Sequence, residues 1–157
     1  MLYFAYGSNL CASRLVSRAP SARFVVIGHL EAHDLIFHKQ GRDGTAKADA
    51  AESATDTVVW GAIAELSPED LIGLDRFEPG YRRSLLPVVC EDSVKHAWVY
   101  RAEPTSIRPD LVPQAWYLGY ILHGGRARGL PSDYLDDLER TTATAHDVTM
   151  RSDLSAC

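Results

Sequence analysis

YFAYGSNL, at residues 3–10, is the stretch of this sequence that says most about the fold. Its three aromatic residues around one alanine, almost at the first residue, predict a strand that enters the core at once. Gly-Ser-Asn then favours a tight turn, since glycine adopts positive φ and serine and asparagine form turns and caps. The backbone N–H groups of such a turn can hold an anion or a developing negative charge. The alternative is an ordinary strand-to-helix connection in which Ser8 or Asn9 caps the next helix.

A carboxylate in an unusual position is the second informative feature. A helix is predicted to begin at Ser67, a natural N-cap ahead of a proline and two acidic residues. Its apolar face is expected to turn Phe77 toward the core, and Pro79-Gly80 ends it. Glu78 then lies where the helix dipole disfavours a carboxylate. Partly desolvated, it would have a raised pKa and could transfer protons near neutral pH. The alternative is a surface glutamate paired with one of three nearby arginines: Arg76, Arg82 or Arg83.

The bulk composition restricts the function classes. The 157 residues predict one domain, and 46% hydrophobic with 24% charged residues are ordinary for a globular protein. The net charge of −5, with scattered lysines and arginines, argues against a nucleic-acid partner. No apolar run approaches the roughly 18–20 residues that span a bilayer, so no membrane partner is expected. The cysteines at 11, 90 and 157 are odd in number and far apart, which fits a reducing cytoplasm better than a disulfide framework.

The order of the predicted elements indicates an α+β fold. Glycine, proline and polar clusters separate strands that alternate or are rich in β-branched residues from helices with 3.6-residue periodicity. This order predicts a mixed fold around a curved or closed sheet, with a domain at 1–140 and a loosely held tail at 141–157. Gly61 is a candidate position for a β-bulge. The predicted strands are 23–30, 32–38, 57–66, 85–90 and 95–101, the helices 11–18, 67–78, 111–126 and 131–140, and residues 45–53 are an edge strand or a loop.

Tyrosines and histidines supply the remaining candidate site residues. Tyr6, Tyr81, Tyr100 and Tyr117 could line a pocket, because tyrosine offers apolar area and a hydroxyl group; for each one, packing in the core is the alternative. Three histidines lie close together in the sequence, but they do not follow the zinc-protease order. On a single strand, residues 29, 31 and 33 would share one face and residue 38 would take the other, so no metal site is predicted.

Several of these segments together resemble the gamma-glutamylcyclotransferase family. Residues 3–10 are similar to its opening strand and loop, and Val59-Trp60-Gly61 is similar to its VWG segment. Leu74-Asp75 with Glu78 three residues on resembles its LDxxEG helix end. Tyr100 resembles the tyrosine of its hairpin, and Tyr117 followed by residues 129–131 and Tyr134 resembles its closing helices. The ordered set covers residues 2–140.

The resemblance implies a small mixed β-barrel with flanking helices, no cofactor and no metal. It implies conversion of a γ-glutamyl amine to 5-oxoproline and a free amine, with a homodimer as one assembly it allows. Pro79 stands where the family usually has glycine, so the resemblance does not determine which amine is the leaving group. The alternatives are a dedicated biosynthetic substrate or a non-catalytic member that binds small molecules. The family's catalytic glutamate corresponds to Glu78, its substrate loop to Tyr6, Gly7, Ser8, Asn9 and Leu10, and its pocket tyrosines to Tyr81, Tyr100 and Tyr117.

Overall fold

A closed five-stranded barrel forms the centre of the computed structural model, which describes residues 1–144 and residue 157. Within these residues, a two-stranded ribbon and four α-helices surround the barrel. The elements in chain order are β1 (Leu2–Ala5), a 3₁₀ turn (Ser8–Leu10), α1 (Ala12–Arg18), β2 (Arg23–Glu31), β3 (His33–Gln40), β4 (Ala46–Glu52), β5 (Val58–Glu65), α2 (Pro68–Leu74), β6 (Tyr81–Val89), β7 (Val94–Ala102), a second 3₁₀ turn (Pro104–Ser106), α3 (Ala115–Arg128) and α4 (Ser132–Glu139).

The strand order in the barrel is β1-β5-β2-β6-β7. Neighbouring strands are antiparallel except where β7 closes the barrel onto β1 in parallel, with Tyr3 opposite Trp98. The mixed α+β barrel is therefore confirmed. Within the segment 45–53, predicted as an edge strand or a loop, Ala46–Glu52 form β4, which pairs with β3 outside the barrel. The carboxylate of Asp49 in β4 accepts a hydrogen bond from the Ala102 N–H at 2.7 Å, which fixes this ribbon to the barrel.

β1 is buried because it completes the barrel, and its close packing explains Gly61. Phe4 and Ala5 are fully buried, and β1 runs antiparallel to β5. A Cβ at Gly61 would lie 2.4 Å from the Ala5 carbonyl oxygen and 2.6 Å from the Phe4 ring. The pairing of β2 with β5 continues through Gly61, and its register shifts instead between residues 24 and 26. The bulge predicted at Gly61 is wrong; the glycine allows close approach of β1.

α2 begins as predicted but ends earlier. The Ser67 hydroxyl accepts the Asp70 N–H at 3.1 Å, which confirms the N-cap. After Leu74, successive hydrogen bonds run from each N–H to the carbonyl three residues before, up to Glu78. This tighter winding changes which way side chains face, and Phe77 is 48% exposed beneath the Arg18 guanidinium. The prediction that Phe77 packs in the core is wrong for this reason.

The cysteines and histidines depart from the sequence predictions. Cys11 and Cys157 form a disulfide across 146 residues of sequence, so the expectation of reduced cysteines is wrong for this pair. The cytoplasmic location inferred partly from the cysteines stays a prediction. Ala32 has φ 53° and turns the chain, so residues 29 and 33 lie on different strands. His38 pairs with Asp49 at 2.8 Å, and no group of three His, Cys, Asp or Glu residues in the described part could hold a metal ion.

None of the described helices is both long and apolar enough to cross a membrane. The predicted tail, residues 141–157, lies largely outside the described residues.

Candidate active site

A small polar cavity opens where β1, its following turn, β4 and the segment after α2 meet. Its volume is about 30 Å³, and it joins a larger outer cavity of about 260 Å³. Eight of the nine site residues predicted from the sequence line the inner cavity. Its lining consists of Tyr3, Tyr6, Gly7, Ser8, Asn9, Ala48, Glu78, Tyr81, Tyr100 and Tyr117.

Leu10 is the predicted site residue that does not reach the cavity. Its side chain is fully buried in the core, and its N–H donates to the Gly7 carbonyl at 3.0 Å. Unlike the Leu10 N–H, the N–H groups of Ser8 and Asn9 donate to no acceptor within the described residues. They open the 3₁₀ turn, where the first N–H groups lack partners inside the turn. Two backbone donors beside the cavity are therefore available to a ligand.

Glu78 supplies the carboxylate of the cavity. Its side chain is 16% exposed. Its Oε1 accepts hydrogen bonds from Asn9 Nδ2 at 3.1 Å and from Arg18 Nη1 at 3.3 Å. Burial raises the pKa of Glu78, although Arg18 and Asn9 act in the opposite direction. The predicted rise in the pKa of Glu78 is confirmed. The ion-pair partner of Glu78 is Arg18 and not one of the three arginines that lie near Glu78 in the sequence.

Asn9 connects the carboxylate to the strand side of the cavity. Its Nδ2 also donates to the Tyr3 hydroxyl at 2.9 Å, while its Oδ1 accepts from Arg18 Nη1 at 3.1 Å. Asn9 is itself buried. Since both ends of the amide have partners, its orientation is fixed, and with it the position of Glu78 Oε1.

The pocket tyrosines are held by hydrogen bonds. Tyr100 donates to Asp75 Oδ1 at 2.8 Å, and Asp75 in turn pairs with Arg83 at 2.9 Å. Tyr81 donates to the Ala48 carbonyl at 2.6 Å, and Tyr117 accepts the Ala48 N–H at 3.0 Å. The Tyr6 hydroxyl donates to the carbonyl oxygen of Tyr100.

These tyrosines are neutral at physiological pH. Burial raises the pKa of Tyr117 to about 12, and it also raises the pKa values of Tyr3, Tyr6, Tyr81 and Tyr100. The cavity therefore has neutral hydroxyl walls, and Glu78 is the carboxylic acid in its described lining, with a raised pKa.

Sequence reasoning missed Tyr3, Ala48 and two arginines of α1. Arg14 donates from Nε to the Ser8 hydroxyl at 3.1 Å, and Arg18 reaches Glu78. Arg14 and Arg18 are four residues apart and follow the turn closely, so a helix places both on one face. This spacing could have indicated that they face the cavity. Tyr3 lies on the opening strand, where the sequence predicts that an aromatic residue packs in the core.

Comparison with known proteins shows which family the chain belongs to. Residues 58–138 match the AIG2-like family. The chain is 31% identical to human gamma-glutamylcyclotransferase over 150 residues. This alignment covers 88% of the chain and 77% of the human protein. The chain belongs to the gamma-glutamylcyclotransferase family of enzymes. It is also 30% identical over 140 residues to the bovine gamma-glutamylcyclotransferase, with 85% of this chain and 74% of that protein covered.

A solved structure named gamma-glutamyl cyclotransferase has the same fold as this chain. The TM-score is 0.87 at 24% sequence identity, over 99% of this chain and 95% of that chain. The likeness extends over the barrel, the ribbon and the helices, so the elements that carry the cavity belong to the shared fold.

Proposed function

We propose that the protein converts γ-glutamyl amines to 5-oxoproline and the free amine. The observation that supports this proposal is that one cavity is lined by Glu78, Ser8 and Asn9, and that the N–H groups of Ser8 and Asn9 have no acceptor among the described residues. A buried carboxylate of raised pKa suits proton transfer, and backbone donors suit a carboxylate or an oxyanion.

The proposed reaction needs no nucleophile from the protein. The α-amine of the γ-glutamyl group attacks its own γ-carbonyl carbon, and a C–N bond closes a five-membered ring. The bond from that carbon to the leaving nitrogen then breaks. One proton moves from the attacking nitrogen to the leaving nitrogen, and no water is consumed. Because both reacting groups belong to one molecule, holding it in a closed conformation supplies much of the rate enhancement.

Glu78 is the proposed carrier of that proton. Asn9 and Arg18 both occupy Oε1, and within the described residues Oε2 makes no hydrogen bond. Oε2 is thus left for the substrate: it takes the proton from the attacking amine and returns it to the leaving nitrogen. General acid–base catalysis of this kind contributes about 10²–10⁴-fold.

Ser8 and Asn9 are the proposed anion-binding residues. Their N–H groups hold either the α-carboxylate of the substrate or the oxygen that becomes negative during ring closure. Loss of one such donor typically costs on the order of 10²–10³ in rate. Leu10 is not part of this set, because its N–H is bonded to Gly7.

Product analysis tests the function. The purified protein is mixed with γ-glutamyl-alanine and γ-glutamyl-glutamine, and 5-oxoproline and free amino acid are quantified. We expect the two products in equal amounts. Calorimetric binding of these compounds without any turnover would contradict the proposal and would indicate the non-catalytic alternative.

Arg18→Met is predicted to move the acid limb of kcat/KM to higher pH. Arg18 lowers the pKa of Glu78, so its removal lets burial raise that pKa further, and a higher pH is then needed to ionise the base. The measurement is kcat/KM against pH for both proteins. Arg126→Met is the matched control, because Arg126 is exposed and pairs with Glu139 on the surface. An unmoved limb, or one moved to lower pH, would show that Arg18 does not act on the titrating group.

A further inference from the structure

The outer cavity is strongly cationic. It adjoins the inner cavity and shares Ser8, Glu78, Tyr81 and Tyr117 with it. Its lining contains two carboxylates, Asp43 and Glu78, although the whole chain carries a net charge of −5. Five positively charged side chains line it: Arg14, Arg18, Lys39, Arg42 and Lys47.

Two structural units bring these cations together. Arg14 and Arg18 lie one turn apart on α1, directly after the substrate loop. Lys39 lies near the end of β3, Lys47 on β4, and Arg42 in the loop between those strands. The positive side chains of the β3–β4 ribbon therefore face those of α1 across the cavity. The two sets repel each other when the cavity holds no anion.

In the part of the chain that the structure describes, three of the five cations lack a carboxylate partner. Glu78 pairs with Arg18, and Asp43 pairs with Lys47 at 2.8 Å. Across residues 1–144 and 157, no carboxylate forms an ion pair with Arg14, Lys39 or Arg42.

Lys39 is the most informative of the three. It is only 4% exposed, and its ammonium group lies 4.7 Å above the Tyr81 ring. Burial lowers the pKa of Lys39, and Lys47 and Arg42 act in the same direction, whereas Glu78 and Asp43 act in the opposite one. A buried ammonium group without an anion is costly, and an anion brought by a ligand removes that cost.

We propose that the natural leaving amine carries at least two anionic groups, an α-carboxylate together with a second carboxylate or a phosphate. This inference rests on the proposed function. Glu78 lies where the two cavities join, so the γ-glutamyl group enters the inner cavity and the leaving amine extends into the outer one. One carboxylate would leave two of the three unpaired cations without a counter-charge, whereas two carboxylates would leave one, and a carboxylate with a doubly charged phosphate would leave none. A cationic leaving amine is disfavoured by the same field.

A matched pair of substrates tests the charge alone. γ-Glutamyl-glutamate and γ-glutamyl-glutamine have nearly the same shape and differ by one negative charge. We expect kcat/KM to be at least about tenfold higher for γ-glutamyl-glutamate at low ionic strength, and the ratio to fall as salt screens the cavity. γ-Glutamyl-phosphoserine against γ-glutamyl-serine is the second pair, and the pair with the larger ratio identifies carboxylate or phosphate as the second group.

Variants connect the preference to the cavity. Lys39→Gln, and separately the exposed Arg42→Gln, are expected to reduce the ratio several-fold. Lys95→Gln, at the far β6–β7 hairpin, is the matched control and should keep it. Equal kcat/KM within both substrate pairs, with turnover present, would overturn this inference and leave the proposed function standing. No turnover of any of the four compounds would overturn the proposed function, and this inference with it.

Discussion

Glu78→Gln is expected to reduce 5-oxoproline release by at least about 10² while the protein stays folded. The amide has the shape of the carboxylate, and its oxygen can still accept the hydrogen bond from Asn9 that now measures 3.1 Å. It cannot take up the proton of the attacking amine. The measurement is the rate of product release at saturating and at low concentrations of γ-glutamyl-glutamine.

The stability of the same variant separates a catalytic effect from a folding defect. Burial raises the pKa of Glu78, so the native state loses stability from this group as pH rises through the raised pKa. The amide carries no charge and has no such loss. We therefore expect the Tm of Glu78→Gln at pH 7 to equal or exceed that of the wild type. The difference in Tm between the two proteins should become smaller as the pH is lowered. Glu69→Gln, on the exposed start of α2, is the control. Near-normal turnover by a folded Glu78→Gln protein would remove Glu78 from the mechanism.

Gly124→Ala is expected to destabilise the fold by about 1–3 kcal/mol and to lower kcat/KM as well. A Cβ at this position in α3 would lie 2.4 Å from the Leu10 carbonyl carbon and 2.5 Å from the Cys11 nitrogen. Both are backbone atoms, so α3 and the substrate loop must move apart. Since small displacements of binding groups reduce rates strongly, the turn that carries Ser8 and Asn9 should lose activity.

Gly73→Ala is the control for the substitution itself. Gly73 lies in α2, and a Cβ there would have no other atom within 4 Å. Alanine favours the helix over glycine, so this variant should gain roughly 0.5–1 kcal/mol. Urea unfolding of both variants gives the comparison. A Gly124→Ala protein as stable as the wild type would contradict the close contact between α3 and the loop.

Local features were predictable from the sequence because local chemistry determines them. The cap at Ser67 follows from a hydroxyl that accepts a hydrogen bond from its own helix. The turn after β1 forms where the sequence predicts it, but Gly7 has φ −105° rather than a positive φ, and no described side chain caps the turn. The meeting of Asn9 with Glu78 spans 69 residues, and the resemblance of ordered motifs, rather than any periodicity, indicated it.

The missed features depend on tertiary structure. Phe77 follows the helical period in sequence, but α2 ends at Leu74, and the tighter turns that follow place it outside. Lys39 and Lys47 read as scattered surface charges until the β3–β4 ribbon folds over the cavity. Three cysteines far apart in the sequence favour reduced thiols, and only the fold brings Cys157 to Cys11.

Turnover in ¹⁸O-labelled water tests ring closure by the substrate's own amine most directly. With γ-glutamyl-glutamine as substrate, each released glutamine should be matched by one 5-oxoproline free of ¹⁸O, because no water takes part. Release of glutamate labelled with ¹⁸O from the γ-glutamyl group would show hydrolysis instead and would contradict the account.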